Sequence, residues 1–148
     1  MGDESKLRHL EFAQAVINRM ARRSFLLKGW SVTLVAAIFA LATKNGNPSM
    51  IPVAYLPTVV FWFLNAYFLR QERLYRKLYD VVRVKEPQKI DFSLDASVFD
   101  NEVAPYWKVM VSQTLRWFHG MILASVIVTH VLTRIVWHGK AGVLQFPL

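Results

Sequence analysis

Three stretches of this chain carry no formal charge, and each approaches the length that crosses a bilayer. Gly29–Thr43 reads GWSVTLVAAIFALAT, and Phe25, Leu26 and Leu27 extend it backwards past Lys28. A lysine at such an edge snorkels its ammonium to the interface, so about 19 residues from Phe25 suffice for a span. Asn45–Leu69 is the second stretch, apolar from Met50 onward as MIPVAYLPTVVFWFLNAYFL. Trp117–Thr133, WFHGMILASVIVTHVLT, is the third and shortest. The competing reading is three buried helices of a soluble bundle, but each of those would normally keep a polar face. Trp30, Trp62, Tyr67, Trp117 and Trp137 fall near the stretch ends, where membrane proteins carry an aromatic belt.

The expected fold class is therefore an all-α membrane protein of one domain, 148 residues long. Residues 5–23 read as an amphipathic helix, with Leu7, Leu10, Ala13, Ile17 and Met20 at three- and four-residue steps. Such a helix lies on a leaflet or packs against neighbouring subunits. Spans are expected at 25–43, 51–69 and 117–134. The second continues beyond Leu69, because RQERLYRKLYDVVRVK holds helix formers, an i,i+4 pair of Glu72 with Arg76, and no Gly or Pro before Pro87. From Pro52 to about Val84 that helix would be roughly 50 Å long. Residues 85–104 form an insert. Within it Ile90–Asp95 alternates apolar and polar residues, the period of a half-buried strand. One short strand needs a partner in another chain, or the segment is an extended loop. Pro105 suits the first turn of a new helix that could run unbroken into the third span.

Charge sets the expected topology. Residues 1–28 hold six Lys and Arg, the 44–49 connector holds Lys44, residues 70–116 hold nine, and the 134–148 tail holds Arg134 and Lys140. The positive-inside rule places the N-terminus and 70–116 in the cytoplasm, in a multi-pass membrane protein. Charges run through residue 28 with no small-residue cleavage site after the apolar run, unlike a signal peptide.

Catalytic constellations are thin. The absence of cysteine excludes disulfides, thiolate metal sites and cysteine nucleophiles. His9, His119, His130 and His138 lack a metal-ligand spacing, and no phosphate loop, nucleophile elbow or dinucleotide fingerprint occurs. Asp91 and Asp95 do not converge on a strand or loop, and Asp100 and Glu102 read as solvated. No catalytic residue, metal or cofactor is expected.

Small residues are more informative. Gly29, Thr33, Ala36 or Ala37, and Ala40 share one side of the first span, and Gly120 and Ala124 are paired in the third. Lipid gives helices little hydrophobic reason to associate, so such faces mark close packing, within a subunit or between subunits. Asn65 lies inside the second span, where an amide needs an interhelical partner or a water-filled pore. Thr58 is a weaker candidate of the same kind, as is Thr129. Pro52 and Pro57 are possible kink points in the same helix. Arg70, Arg73, Arg76, Lys77 and Arg83, interleaved with Tyr75 and Tyr79, form a basic row. With Arg19, Arg22 and Arg23 it would touch anionic lipid, or contact phosphates and stack bases of a polyanionic ligand.

The runs LRHLEFAQAVINRMARRSFLLKGWSVTLVAAIFAL, FWFLNAYFLRQERLYRKLYDVVR and IDFSLD resemble a family of small bacterial membrane proteins. Some members are similar to the membrane effector of the anti-phage Hailong system. The resemblance covers most of residues 6–95 and carries no residue assignments. It implies a homo-oligomeric, tetrameric ion channel that depolarises infected cells in abortive infection. It also implies restraint by single-stranded oligodeoxyadenylate from a partner nucleotidyltransferase. The expected function is thus a pore-forming effector gated by a polyanion. The alternative is a non-conducting adaptor that docks a partner protein on its basic cytoplasmic helix.

Overall fold

The computed structural model describes residues 2–143, with side chains described from Asp3 to Trp137. Helices α1 (Gly2–Lys44), α2 (Tyr55–Val84), α3 (Tyr106–Met110) and α4 (Gln113–Val143) carry most of the chain. Short 3-10 turns at Pro48–Ala54, Pro87–Lys89 and Ala96–Phe99 punctuate the connections. No strand occurs among the described residues. Three helices are long and apolar enough to cross a membrane, within Asp3–Lys44, Pro48–Val84 and Gln113–Trp137.

The N-terminal amphipathic segment and the first span form one helix of 43 residues. Nothing in residues 2–44 interrupts it: the first proline is Pro48, and Asp3, Glu4 and Lys44 sit at the ends that favour their charges. A Schellman motif ends it. Gly46 adopts φ +58, its N–H donates to Thr43 O at 3.2 Å, and Asn47 N–H donates to Ala42 O at 3.0 Å. The second helix begins at Tyr55, since Pro48 and Pro52 hold the preceding residues in a 3-10 turn. It runs to Val84, as its composition predicts.

The 90–95 alternation forms no strand. Asp91 Oδ1 accepts from Ser93 N–H at 3.1 Å, Ser93 Oγ from Asp95 N–H at 3.1 Å, and Asp95 Oδ1 from Ser97 N–H at 2.9 Å. Each polar side chain closes a turn onto the backbone two residues ahead and takes the donor a ladder would need. Phe92, between them, has a left-handed φ of 56 and meets the buried His9 ring edge-on at 5.7 Å. The helix begun at Pro105 also stops early, at Met110, and a turn at Val111–Ser112 separates it from α4.

The chain divides into two compact units. The first comprises Met1–Leu27 and Phe63–Ser112. Its core is Leu74, Leu78, Val82, Ile90 and Ala96, with Leu10, Tyr75, Phe99 and Val103 packed against it. Here α1 and α2 run antiparallel: Lys6 Nζ donates to Arg83 O at 2.9 Å and Lys85 O at 2.7 Å, capping the end of α2. The second comprises Lys28–Trp62 and Gln113–Leu148. It centres on Val35, Ala54 and Val126, with Ile38, Phe39, Tyr55 and Ile122 around them.

The second unit encloses a few polar side chains beside its apolar centre and is apolar outside. Ser31, Thr58 and His119 are fully buried, while Trp30, Trp117 and Ile135 are 58%, 62% and 64% exposed. A water-soluble fold does not leave so much contiguous apolar surface bare. A fold whose solvent is lipid does, so the protein is membrane-embedded. Gly46→Ala forces a Cβ into the left-handed region, and about 1–2 kcal/mol of stability should be lost. Denaturant unfolding in detergent would read the loss, with Gly46→Asn falling between the two because Asn tolerates that conformation.

Candidate functional site

The expected basic surface lies wholly in the first unit, because Arg19, Arg22 and Arg23 come from α1 and the remaining residues from α2. The structure pairs most of this row with carboxylates. Arg70 sends Nη1 to Asp100 Oδ1 at 2.9 Å, Nη2 to Asp100 O at 3.2 Å and Nε to Ala104 O at 3.3 Å. Arg76 reaches Glu72 at 2.7 Å, Lys77 reaches Glu102 at 2.9 Å, and Arg83 lies 3.8 Å from Asp80. Asp100 and Glu102 are thus ion-pair partners of α2, correcting the reading of both as merely solvated. They remain about half exposed, so these pairs act mainly by orienting the 96–104 turn.

Tyr75 packs against the core, which removes much of its face from base stacking. Tyr79 is partly buried. Arg23 stacks over the Phe68 ring with its guanidinium carbon 5.6 Å from the centroid. Arg19, Arg22 and Arg73 form no ion pair among the described residues. The contiguous row therefore reduces to a few unneutralised arginines. Pairing across the fold was hidden from the sequence because Arg70 and Asp100 are 30 positions apart. Only Glu72 with Arg76 was legible, by its helical spacing.

Asn65 is fully buried, and Ser24 Oγ donates a hydrogen bond to its Oδ1. The amide ties α1 to α2 within the first unit. Ser24 had no sequence signal, since a lone serine before an apolar run has no distinguishing spacing. Thr58 is also fully buried, its hydroxyl donating at 2.8 Å to the carbonyl oxygen of Ala54, the last residue of the turn that leads into α2. Both therefore occupy packing positions in the chain. By contrast Gly29, Thr33, Ala36, Ala37 and Ala40 all lie on exposed surface, and nothing lies within 4 Å of a Cβ built on Gly29. Gly120 is equally open.

The histidines do not gather. His119 stacks on Trp62 at 5.8 Å, and His130 Nδ1 lies 3.4 Å from the Tyr55 hydroxyl. His9 is held in the first unit, and the His138 side chain lies outside the described ones, as does that of Lys140. No group able to hold a metal ion occurs among the described residues.

Hydrogen bonds from Arg70 hold the Asp100 carboxyl below the usual carboxylate range, against a smaller opposing effect of burial. Bonds from Ser97 do the same for Asp95. A depressed carboxyl contributes stability above its unfolded value and loses it as pH falls through the folded one. The first unit should therefore loosen as pH drops from about 5 towards 2. Asp100→Asn should lower the melting temperature at neutral pH and flatten part of that acid slope. A double-mutant cycle of Ser24→Ala with Asn65→Leu should show coupling of about 0.6–1.7 kcal/mol, the range for hydrogen bonds between membrane helices. Additive losses would mean the two side chains act separately.

Comparison with protein-family models, with curated proteins and with solved structures found no match, and the chemistry of these side chains is what defines the site.

Proposed function

We propose that this chain is the subunit of a homo-oligomeric membrane pore whose extramembrane unit responds to a polyanion. The observation that carries the reading is the outward small-residue face of the first span. Gly29, Thr33, Ala36, Ala37 and Ala40 are not spent on packing within the chain. In lipid, a face that allows close backbone approach is an association surface. Three spans enclose little space alone, so conduction needs several copies around an axis. Thr33 supplies a hydroxyl to that face, and Arg19, Arg22 and Arg73 supply cations that no carboxylate neutralises. A ligand there gates the pore only if it binds closed and open states unequally. The count of Lys and Arg supports a cytoplasmic place for residues 1–28 and 70–116. The resemblance to small bacterial membrane effectors supports anti-phage depolarisation as the cellular role, with an oligonucleotide as the polyanion.

A second reading is a non-conducting adaptor. It is favoured by apolar side chains bare on the first unit, Val98 and Trp107 among them. Ion flux through the purified protein in liposomes separates the two. A pore should conduct, and a single-stranded DNA homopolymer should change the flux. Ala37→Leu should reduce both the oligomer and the flux, and joint Glu substitution of Arg19, Arg22 and Arg73 should remove only the response to DNA. No flux from inserted, oligomeric protein would sink the pore and leave the adaptor.

A further inference from the structure

The charges of this protein are sorted between its two units. All ten Asp and Glu belong to the first, and the second has none, yet the second carries Lys28, Lys44, Arg116, Arg134 and Lys140. A cation in the second unit has no acidic side chain of its own unit to pair with. Arg134 borders a cavity.

That cavity, of about 630 Å³, lies where the 46–52 turn meets α4. Beside Arg134 it is walled by His130, Asn47 and Ser49. Each of these presents a donor. Asn47 Oδ1 is occupied by Ser49 N–H at 3.1 Å, which leaves the amide NH2 to donate. The Tyr55 hydroxyl lies 3.4 Å from His130 Nδ1, which leaves Nε2 as the ring nitrogen that this contact does not engage. Thr133 has its hydroxyl turned back to Thr129 O and His130 O, at 2.8 and 2.9 Å. No carboxylate is among the residues that line this wall.

A second cavity, of about 370 Å³, shares Gly46, Pro48, Thr133 and Trp137 with the first. Its remaining lining is mostly apolar, with Phe39, Ala42, Ile51, Leu132 and Val136. Both volumes fall in the range of about 300–1,000 Å³ typical of small-molecule sites. A donor-rich, cationic chamber thus adjoins an apolar one at the end of a membrane span. An ordinary soluble anion would leave the apolar chamber unfilled, and a bare hydrocarbon would leave Arg134 unpaired.

The geometry points to a binding site for one anionic phospholipid. The phosphodiester sits at Arg134, His130, Asn47 and Ser49, and the first part of an acyl chain enters between Phe39 and Leu132. An Arg–phosphate contact is charge-assisted and directional, which favours a lipid with net negative charge over a zwitterionic one. The site is independent of the basic face of the first unit and of whether the protein conducts.

Native mass spectrometry of the full chain in detergent tests it, with phosphatidylglycerol, phosphatidylcholine and inorganic phosphate as probes. Phosphatidylglycerol should be retained at one per chain and in preference to phosphatidylcholine. Arg134→Gln should weaken it at least about tenfold, as expected when a charge-assisted hydrogen bond is lost. Leu132→Trp, at an exposed position that fills the apolar chamber, should weaken it while helicity is unchanged. Arg116→Gln, elsewhere on α4, should have no effect. Equal retention of both lipids overturns the proposal, as does indifference to Arg134→Gln or an equal loss in Arg116→Gln. Displacement of the lipid by inorganic phosphate at comparable concentration also overturns it, by showing an anion site that makes no use of the acyl chain.

Discussion

A peptide group in hydrocarbon has no water to bond, so each span must satisfy its own backbone as a helix. Every other feature of this protein follows from that demand. It makes α1 and α2 long and unbroken, and it leaves the turn between them to Asn45–Ala54. It also leaves the outer surface of the spans apolar. With lipid as solvent, valines and tryptophans face outward, while Ser31, Thr58 and His119 are enclosed. Helix contacts then rely on small side chains and on polar ties such as Ser24 with Asn65.

Charge is the second organising element. The first unit mixes both signs, and its ion pairs with Asp100 and Glu102 fasten the 96–104 turn to α2. The second unit carries only cations. A plain count of Lys and Arg along the chain merges these two situations. In the first unit six of thirteen Lys and Arg are matched by carboxylates from within, and Arg19, Arg22 and Arg73 are among those left open. In the second the match must come from outside, which is what makes Arg134 informative.

The 90–97 segment shows how local chemistry overrides pattern. Its alternation of apolar and polar residues has the period of a strand, yet the polar residues are Asp, Ser and Asp. These are the side chains that bond their own backbone two residues on. The same alternation written with Thr and Lys would lack that competing geometry. Residue identity was available in the sequence; its period alone misdirected the reading.

The sequence by itself determined the three apolar stretches and the run of α2 to Val84. These are local properties, set by hydropathy and by spacing along one helix. Only the tertiary structure decided which faces are used inside the chain. It joined Ser24 to Asn65 across 41 positions and Arg70 to Asp100 across 30, and it brought Arg134 to the Asn47 turn. It also left the Gly29–Ala40 face bare. Such pairings depend on how antiparallel helices register against each other. No repeat in the sequence encodes that register, since each contact joins side chains whose own neighbours along the chain point elsewhere.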